Sequence, residues 1–191
     1  MITEKTNFSD ALLIKPKVFD DKRGYFYESF NYKRFNDHIG HFDIVQINQS
    51  KSTYGVLRGL HFQRPPFTQA KLVQVLKGVV LDVIVDIRTD SQTFGQYQSF
   101  VLDERDHELL YVPRGFAHGF VVLSRNAKFQ YAVDNYYSQE HDDGIFYADK
   151  TLDIDWEIAN PKLSPKDRNW VGFDEMKFHT TLEYLKNSSN L

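Results

Sequence analysis

The stretch from residue 55 to residue 63, Gly-Val-Leu-Arg-Gly-Leu-His-Phe-Gln, places two chemically useful side chains close together. Arg58 is a permanent cation and His61 is a base near neutral pH, and they lie three positions apart among small and apolar residues. In a regular strand these two side chains would point to opposite faces, because strand side chains alternate. Gly55 and Gly59 allow a local bulge that turns both side chains inward.

Further functional side chains follow downstream. Gly78 follows Lys71 by seven positions, and the segment Pro113–His118 reads Pro-Arg-Gly-Phe-Ala-His. These spacings resemble the two motifs of the metal-binding cupin barrels: a His-x-His pair, a Glu and a Gly, then Pro-x-Gly-x-x-His. Here Gln63 stands at the second His position and Lys71 at the Glu position. Because an ammonium repels a divalent cation, we predict that the site holds no metal and needs no cofactor.

The lysine at this position indicates carbanion chemistry. A cation inside a pocket stabilises an enolate oxygen while a neutral histidine removes the proton beside a ketone. With these residues in view, the chain resembles the dTDP-4-dehydrorhamnose 3,5-epimerase family in order from Phe19 to Asp167. The resemblance is carried by segments 55–63, 69–73, 93–95 and 113–120, by Tyr131, and by segments 136–137 and 163–167.

This resemblance implies an isomerase of dTDP-L-rhamnose biosynthesis, which converts dTDP-4-dehydro-6-deoxy-D-glucose to dTDP-4-dehydro-L-rhamnose through enolates. His61 is the implied base and Asp167 orients it, while Tyr131 returns a proton from the opposite face. Lys71 holds the oxyanion, and His118 assists it or lines the floor of the pocket. Considered singly, His61 is equally compatible with a satisfied core histidine, and Tyr131 with an ordinary strand tyrosine.

The resemblance also implies the contacts to a dTDP-sugar. Arg23, Arg58 and Lys166 are the implied diphosphate ligands, since guanidinium and ammonium groups match phosphate oxygens. Tyr137 stacks on the thymine or lines its pocket. The other implied substrate contacts are Phe26, Glu28, Gln46, Asn48, His118 and Asp142. In the family the aromatic arm that carries Arg23 crosses a dimer interface, so the resemblance implies a homodimer.

Bulk properties narrow the remaining classes. A chain of 191 residues with 41% hydrophobic residues suits one domain, and an aromatic share of 15% favours strands. The net charge of −3 argues against a nucleic-acid partner, and the absence of cysteine excludes disulfides and thiolate zinc sites. The longest apolar run, 79–87, contains two aspartates and is too short to span a membrane. Because no signal-peptide pattern is visible, we expect a cytoplasmic protein without a membrane partner.

Short strands separated by turns dominate the pattern and predict a mostly β fold. Strands are predicted at 11–18, 42–48, 72–76, 79–87, 97–102, 108–112, 119–123 and 127–133. Helices are predicted at 32–39 and 174–186, and residues 187–191 are expected to fray. The resulting expectation is a cupin-type antiparallel β-barrel, or jelly roll, with short peripheral helices and a C-terminal helix. We treat 1–191 as a single domain, with a barrel core at about 42–135, an N-terminal arm at 11–30 and a C-terminal return at 150–187.

Departures from the family pattern keep rival functions open. Ala132, Val133, Gln139 and Asp142 stand where many family members carry a lysine, a polar residue, a proline and a glutamate respectively. They leave open an epimerase that inverts only one carbon of another dTDP-deoxysugar. A non-catalytic cupin that binds a sugar nucleotide is a second alternative. A metal-dependent cupin oxygenase is disfavoured by the residues that replace the metal ligands.

Overall fold

The computed structural model describes residues 2–188, so residues 189–191 of the segment expected to fray lie outside the described residues. The strands are β1 (Ile2–Lys5), β2 (Leu12–Lys15), β3 (Val18–Asp21), β4 (Gly24–Tyr27), β5 (Gln46–Thr53), β6 (Leu57–Gln63), β7 (Lys71–Lys77), β8 (Val79–Asp86), β9 (Tyr97–Asp103), β10 (Leu109–Val112), β11 (Phe116–Val122), β12 (Asn126–Val133) and β13 (Asp142–Gly144). The helices are α1 (Tyr32–Ile39), α2 (Pro165–Arg168) and α3 (Leu182–Ser188), with 3₁₀ turns at Gln139–His141 and Phe173–Glu175. None of the helices within 2–188 is long and apolar enough to cross a membrane.

Two antiparallel sheets form the body of the molecule. One has the strand order β1-β2-β10-β7-β12-β5 and the other β13-β6-β11-β8-β9, while β3 and β4 form a separate hairpin. Apolar side chains from both sheets meet in a shared core, which includes Val73, Ile84, Phe120 and Phe129. The prediction of a mostly β, antiparallel, cupin-type fold is therefore confirmed.

The outer face of each sheet is also covered. On the six-stranded sheet, Phe35 of α1 packs with Phe42 and Leu72. On the five-stranded sheet, side chains of the C-terminal return, among them Trp156 and Phe173, pack over apolar residues of β6, β8 and β11. Burying these faces contributes roughly 25 cal/mol per Å² of apolar surface.

Helix α1 forms where the sequence predicts it. The Asn31 side chain accepts a hydrogen bond from the Arg34 backbone N–H at 3.2 Å and caps the first turn. Gly40 ends the helix with a positive φ of 81°, a conformation that glycine adopts without steric cost. The predicted helix at 32–39 is thus confirmed at both ends.

Three boundary predictions are wrong. The predicted strand 11–18 is divided into β2 and β3 around Pro16, which has no N–H to donate to a ladder. The strand predicted from residue 42 begins only at Gln46. Of the predicted helix 174–186, only the part from Leu182 is α-helical, and its start belongs to the 3₁₀ turn Phe173–Glu175. Phe178, between the two, packs in the aromatic cluster over the five-stranded sheet.

A bulge in β6 bears out the arrangement expected around residue 59. His61 pairs with His118 and Arg58 pairs with Phe120, so two residues of β6 oppose one residue of β11. Gly59 has a φ of 141°, and a Cβ there would lie 2.5 Å from the Cα of Gly119. Only a residue without a side chain fits at this crossing.

We expect Gly59→Ala to destabilise the fold by several kcal/mol, because the added methyl meets backbone and the φ is strained. The matched control is Gly55→Ala, since Gly55 also has a positive φ of 78° but a Cβ added there would meet nothing within 4 Å. We expect that control to cost only about 1 kcal/mol of strain. Urea unfolding of both variants measures the difference, and equal losses would contradict the close-approach argument.

Candidate active site

A cavity of about 300 Å³ opens between the two sheets. Both sheets contribute polar and aromatic side chains to its walls, which consist of Asn48, Gln49, Ser50, Arg58, His61, Phe62, Gln63, Gln69, Lys71, His118, Phe120, Phe129, Tyr131, Tyr137 and Asp142. Because the bulge shifts the alternation of β6, both Arg58 and His61 reach this cavity. Eight of the catalytic and substrate-binding side chains predicted from the sequence lie in its wall.

His61 is hydrogen-bonded to a carboxylate far away in the chain. Its Nε2–H donates to Asp167 Oδ1 at 2.5 Å, and the two residues are 106 positions apart. Asp167 is almost fully buried, and Ser164 Oγ donates to its other oxygen at 2.7 Å. The expected contact between the proposed base and its orienting partner is therefore present.

Helix α2 fixes Asp167 in place. Ser164 caps the helix by accepting the Asp167 N–H at 3.1 Å, and Pro165 occupies the first turn, where its missing N–H costs nothing. Burial opposes ionisation of Asp167, but the hydrogen bonds from His61 and Ser164 outweigh it and hold the pKa of the carboxyl below its usual value. An ionised carboxylate can only accept, so the proton of His61 lies on Nε2 and Nδ1 keeps the basic lone pair.

Tyr131 approaches from the other sheet. It lies on β12, pairs with Asn48 of β5, and contributes to the same cavity as His61 of β6. Burial raises the pKa of Tyr131, so the phenol remains protonated at neutral pH and can donate. The cavity thus has an imidazole on one wall and a protonated phenol on the opposite wall.

Lys71 is the buried cation of the site. Only 7% of its surface is exposed, and Nζ donates to the His61 carbonyl oxygen at 3.3 Å. Burial lowers the pKa of Lys71 to about 8, against the opposing field of Asp82 and Asp142. Lys71 is thus charged at neutral pH and poorly solvated, as an oxyanion-stabilising group should be.

Two residues of the site were missed by the sequence reasoning. Asp82 had no predicted role, yet its carboxylate accepts the His118 Nε2–H at 2.9 and 3.0 Å, entirely inside the barrel. The sequence did contain a signal for Asp82: it is an acidic residue that alternates with the apolar Val80 and Ile84 on the inward face of its strand. Trp170 was also missed; its ring packs edge-on against His61, with the ring centroids 6.2 Å apart.

Other predicted contacts lie at the rim. Gln46 donates to Asn48 Oδ1 at 2.9 Å and accepts the Tyr137 N–H at 3.4 Å. Lys166 is ion-paired with Asp142, which also accepts the Tyr137 hydroxyl at 2.9 Å. Gln46 and Lys166 therefore contact Asn48, Tyr137 and Asp142, which line the cavity.

Three predicted substrate contacts lie outside the cavity of their own chain. The Arg23 side chain is 90% exposed and pairs with Asp21 of the same hairpin. Phe26 is 70% exposed, and Glu28 pairs with Arg34. If these residues bind substrate, they must do so outside the cavity of their own subunit.

The donor set at the cupin metal position does not suit a divalent ion. Two imidazoles, His61 and His118, remain, but each donates to a carboxylate, and the Lys71 ammonium lies beside them. The Gln63 amide oxygen already accepts the Ser138 N–H at 2.9 Å. Among residues 2–188, no group of three or more His, Cys, Asp or Glu side chains is placed to hold a metal.

An imidazole–carboxylate pair and a phenol on facing walls, with a buried ammonium in the same cavity, define an acid–base isomerase with a cupin-like fold. Residues 5–175 match the family model described as dTDP-4-dehydrorhamnose 3,5-epimerase. The chain belongs to the dTDP-4-dehydrorhamnose 3,5-epimerase family.

Known relatives support this assignment. The dTDP-4-dehydrorhamnose 3,5-epimerase of Shigella flexneri is 49% identical over 170 residues, which cover 88% of this chain and 94% of the relative. The crystal structure of the Legionella pneumophila dTDP-6-deoxy-D-glucose-3,5-epimerase in complex with dTDP-4-keto-L-rhamnose has 43% identity and a TM-score of 0.89, covering 92% of this chain and 94% of that one. The structure of a 3'-monoepimerase from Streptomyces bikiniensis, in complex with dTDP-quinovose, has 27% identity and a TM-score of 0.90. The match covers 97% of this chain and 96% of that one.

The lowered pKa of Lys71 predicts how the free energy of unfolding depends on pH. Between pH 8 and 10.5 the unfolded chain binds more protons at this lysine than the folded protein does, so its contribution to stability rises with pH in that window. Relative to wild type, Lys71→Met should lack this rise, which amounts to about 3 kcal/mol.

Urea unfolding at pH 7.5, 9 and 10.5 measures the difference, with Lys77→Met as the control because Lys77 is an exposed lysine of the same strand. Parallel stability curves for wild type and Lys71→Met would show that Lys71 keeps its ordinary pKa.

Proposed function

We propose that this enzyme inverts C3 and C5 of dTDP-4-dehydro-6-deoxy-D-glucose and releases dTDP-4-dehydro-L-rhamnose for dTDP-L-rhamnose synthesis. The observation that carries the proposal is the pairing of the His61–Asp167 dyad on one wall with Tyr131 on the opposite wall. The names of relatives that share 41–49% identity over most of the chain support the same substrate. We place the enzyme in the cytoplasm, together with this nucleotide-linked substrate.

Proton removal is assigned to His61. The C3 hydrogen lies beside the C4 ketone, and Nδ1 takes it as a proton. The C–H electron pair forms the C3–C4 double bond, and the π pair of the C4 carbonyl moves onto the ketone oxygen. The Lys71 ammonium stabilises the resulting oxyanion. Asp167 stabilises the imidazolium that forms, since it already accepts the Nε2–H.

Proton return is assigned to Tyr131. Its phenol gives a proton to the same carbon from the opposite face, and the electron pair on oxygen re-forms the ketone. The imidazolium then loses its proton to solvent and the phenolate regains one, so both groups are reset. A second cycle at C5 inverts the other carbon beside the ketone.

The nucleotide end is assigned to cations and rings at the rim. Arg58 uses Nε to donate to Ser52 Oγ at 3.1 Å, which leaves the Nη groups for the diphosphate. Lys166 Nζ lies 5.2 Å from the centroid of the Trp170 ring and supplies a second positive charge. Tyr137, half exposed at the entrance, is the proposed partner of the thymine ring.

The proposed assembly is a homodimer in which each arm completes the partner's site. The β3–β4 hairpin exposes Phe19, Tyr25 and Phe26, an apolar surface that a partner would cover. The hairpin is anchored at one end, where Gln74 donates to the Tyr27 hydroxyl at 2.7 Å. On this arrangement Arg23, Phe26 and Glu28 would reach the neighbouring cavity.

The departures from the family pattern give no support to the single-centre alternative. Ala132 packs on the outer face of its sheet, and Val133 is fully buried and absent from the cavity wall. Gln139 lies in an exposed 3₁₀ turn. Of these four positions, Asp142 alone touches the cavity, so the reacting groups are unaffected. The binding-only alternative is disfavoured because binding requires no acid and base on facing walls.

Proton NMR of the substrate in deuterated water tests the chemistry. We expect deuterium at both C3 and C5 with wild type, whereas deuterium at C3 alone would favour a single-centre epimerase. Tyr131→Phe should exchange protons without inversion, because the base survives and the acid is lost. His61→Asn should slow exchange by about 100-fold or more.

The matched control is Tyr97→Phe, which removes a phenol from a different strand, outside the cavity. That variant should behave as wild type. No exchange by correctly folded wild type that still binds dTDP would exclude this substrate.

Mixing two inactive variants tests the arm. An Arg23→Ala subunit keeps its own His61, so a dimer formed with a His61→Asn subunit has one cavity with both an intact base and an intact arm. Refolding the two variants together should restore activity to about a quarter of the wild-type level if the subunits mix statistically. Light scattering should show dimers. A mixture no more active than its components would place the arm on its own subunit.

A further inference from the structure

The barrel interior contains a carboxylate with no role in the scheme above. Asp82 is 0% exposed and lies on β8 between Val80 and Ile84, whose side chains belong to the apolar core. Burying a charged group in such surroundings is costly unless it is paired. The neighbours of this carboxylate therefore indicate why an acid is present.

The first neighbour is His118. Burial lowers the pKa of this imidazole, so His118 is neutral and carries a single proton. Because both Asp82 oxygens lie within 3.0 Å of Nε2, that proton is on Nε2. His118 Nδ1 is then a hydrogen-bond acceptor without a partner among residues 2–188, on a side chain that lines the cavity.

The second neighbour is Lys71. No carboxylate among the described residues lies within ion-pair distance of its Nζ, which donates instead to a backbone carbonyl. Two negative charges act on it from a distance, Asp82 and Asp142. Asp142 is already engaged by Lys166 and Tyr137 at the rim. Asp82 is the one that lies inside the barrel.

We propose that Asp82 is a positioning residue with two effects: it fixes His118 with Nδ1 free to accept a sugar hydroxyl, and its charge keeps Lys71 in the ammonium form. The inference rests on the proposed function, since it explains how the oxyanion-stabilising charge survives burial. Asp82 touches neither substrate nor reacting atoms and acts through its two neighbours.

The charged groups around Lys71 and His118 come from several strands. Asp82 of β8 favours the charged form of both, and Asp142 of β13 adds to its effect on Lys71. Protonation of His118 is opposed by Lys71 of β7 and by His61 of β6. Loss of Asp82 therefore leaves His118 without a carboxylate partner and leaves Lys71 with Asp142 at the rim, while His61 keeps Asp167.

Asp82→Asn is the decisive variant because it keeps the shape and removes the charge. The activity of wild type should fall as pH rises through the Lys71 titration near pH 8, and in Asp82→Asn this loss should move down by about one pH unit. At pH 8 the variant should lose about fivefold in kcat, with much of the loss recovered at pH 6.

The matched control is Asp86→Asn. Asp86 is also 0% exposed and lies on the same strand, but its oxygens accept from Arg88, Ser91 and Thr93, outside the cavity. This control should lose stability without any shift of the pH profile. A purely structural role for Asp82 predicts the same behaviour for both variants, and that result would overturn the proposal.

NMR separates this inference from the proposed function, because it needs no substrate. In wild type the ¹⁵N spectrum of the His118 ring should show the Nε2–H tautomer, and the Lys71 ammonium should titrate near pH 8, with a lower midpoint in Asp82→Asn. An Nδ1–H tautomer in wild type, or an unchanged Lys71 midpoint, would overturn the proposal even if the enzyme epimerises its substrate. If the spectra are as expected but the enzyme does not epimerise the substrate, the proposed role of Asp82 is supported and the proposed function is excluded.

Discussion

The hydrogen bond between His61 and Asp167 links the barrel to the segment that returns over its outside. One partner comes from the strand that carries the bulge, and the other from a single-turn helix with its own cap and proline. Neither group has the required geometry alone. The imidazole needs the carboxylate to fix its tautomer, and the carboxylate needs the imidazole and Ser164 to remain ionised in a buried position.

The same physical problem recurs deeper in the barrel, where charge must persist away from water. Lys71 and His118 tend to lose their protons on burial, and Asp82 opposes that tendency. A conventional cupin solves the problem with a metal ion and its ligands. Here fixed side-chain charges occupy the same interior, and in the proposed mechanism the Lys71 ammonium provides the positive charge for the oxyanion.

His61, Lys71 and His118 were readable from the sequence because their spacings resemble the cupin motifs, whereas Tyr131 and Asp167 followed from the resemblance to the epimerase family. The bulge around Gly59 followed from two glycines beside residues that had to face the same way. The role of Asp82 could not be predicted, since its partner His118 is on another strand. An aspartate within an apolar run is also compatible with the end of a strand. The predicted helix at 174–186 failed for a related reason: Phe178 follows the apolar cluster, and tertiary packing overrode the local pattern.

The C-terminal return links the assembly of the site to the stability of the chain against degradation. The segment that brings Asp167 to the base also covers the apolar outer face of the five-stranded sheet. A chain cut short before residue 160 loses Asp167, the hydrogen-bond partner of His61, and at the same time exposes apolar surface of the kind that chaperones and proteases recognise. Catalytic competence and resistance to degradation are therefore acquired together, when the last quarter of the polypeptide docks.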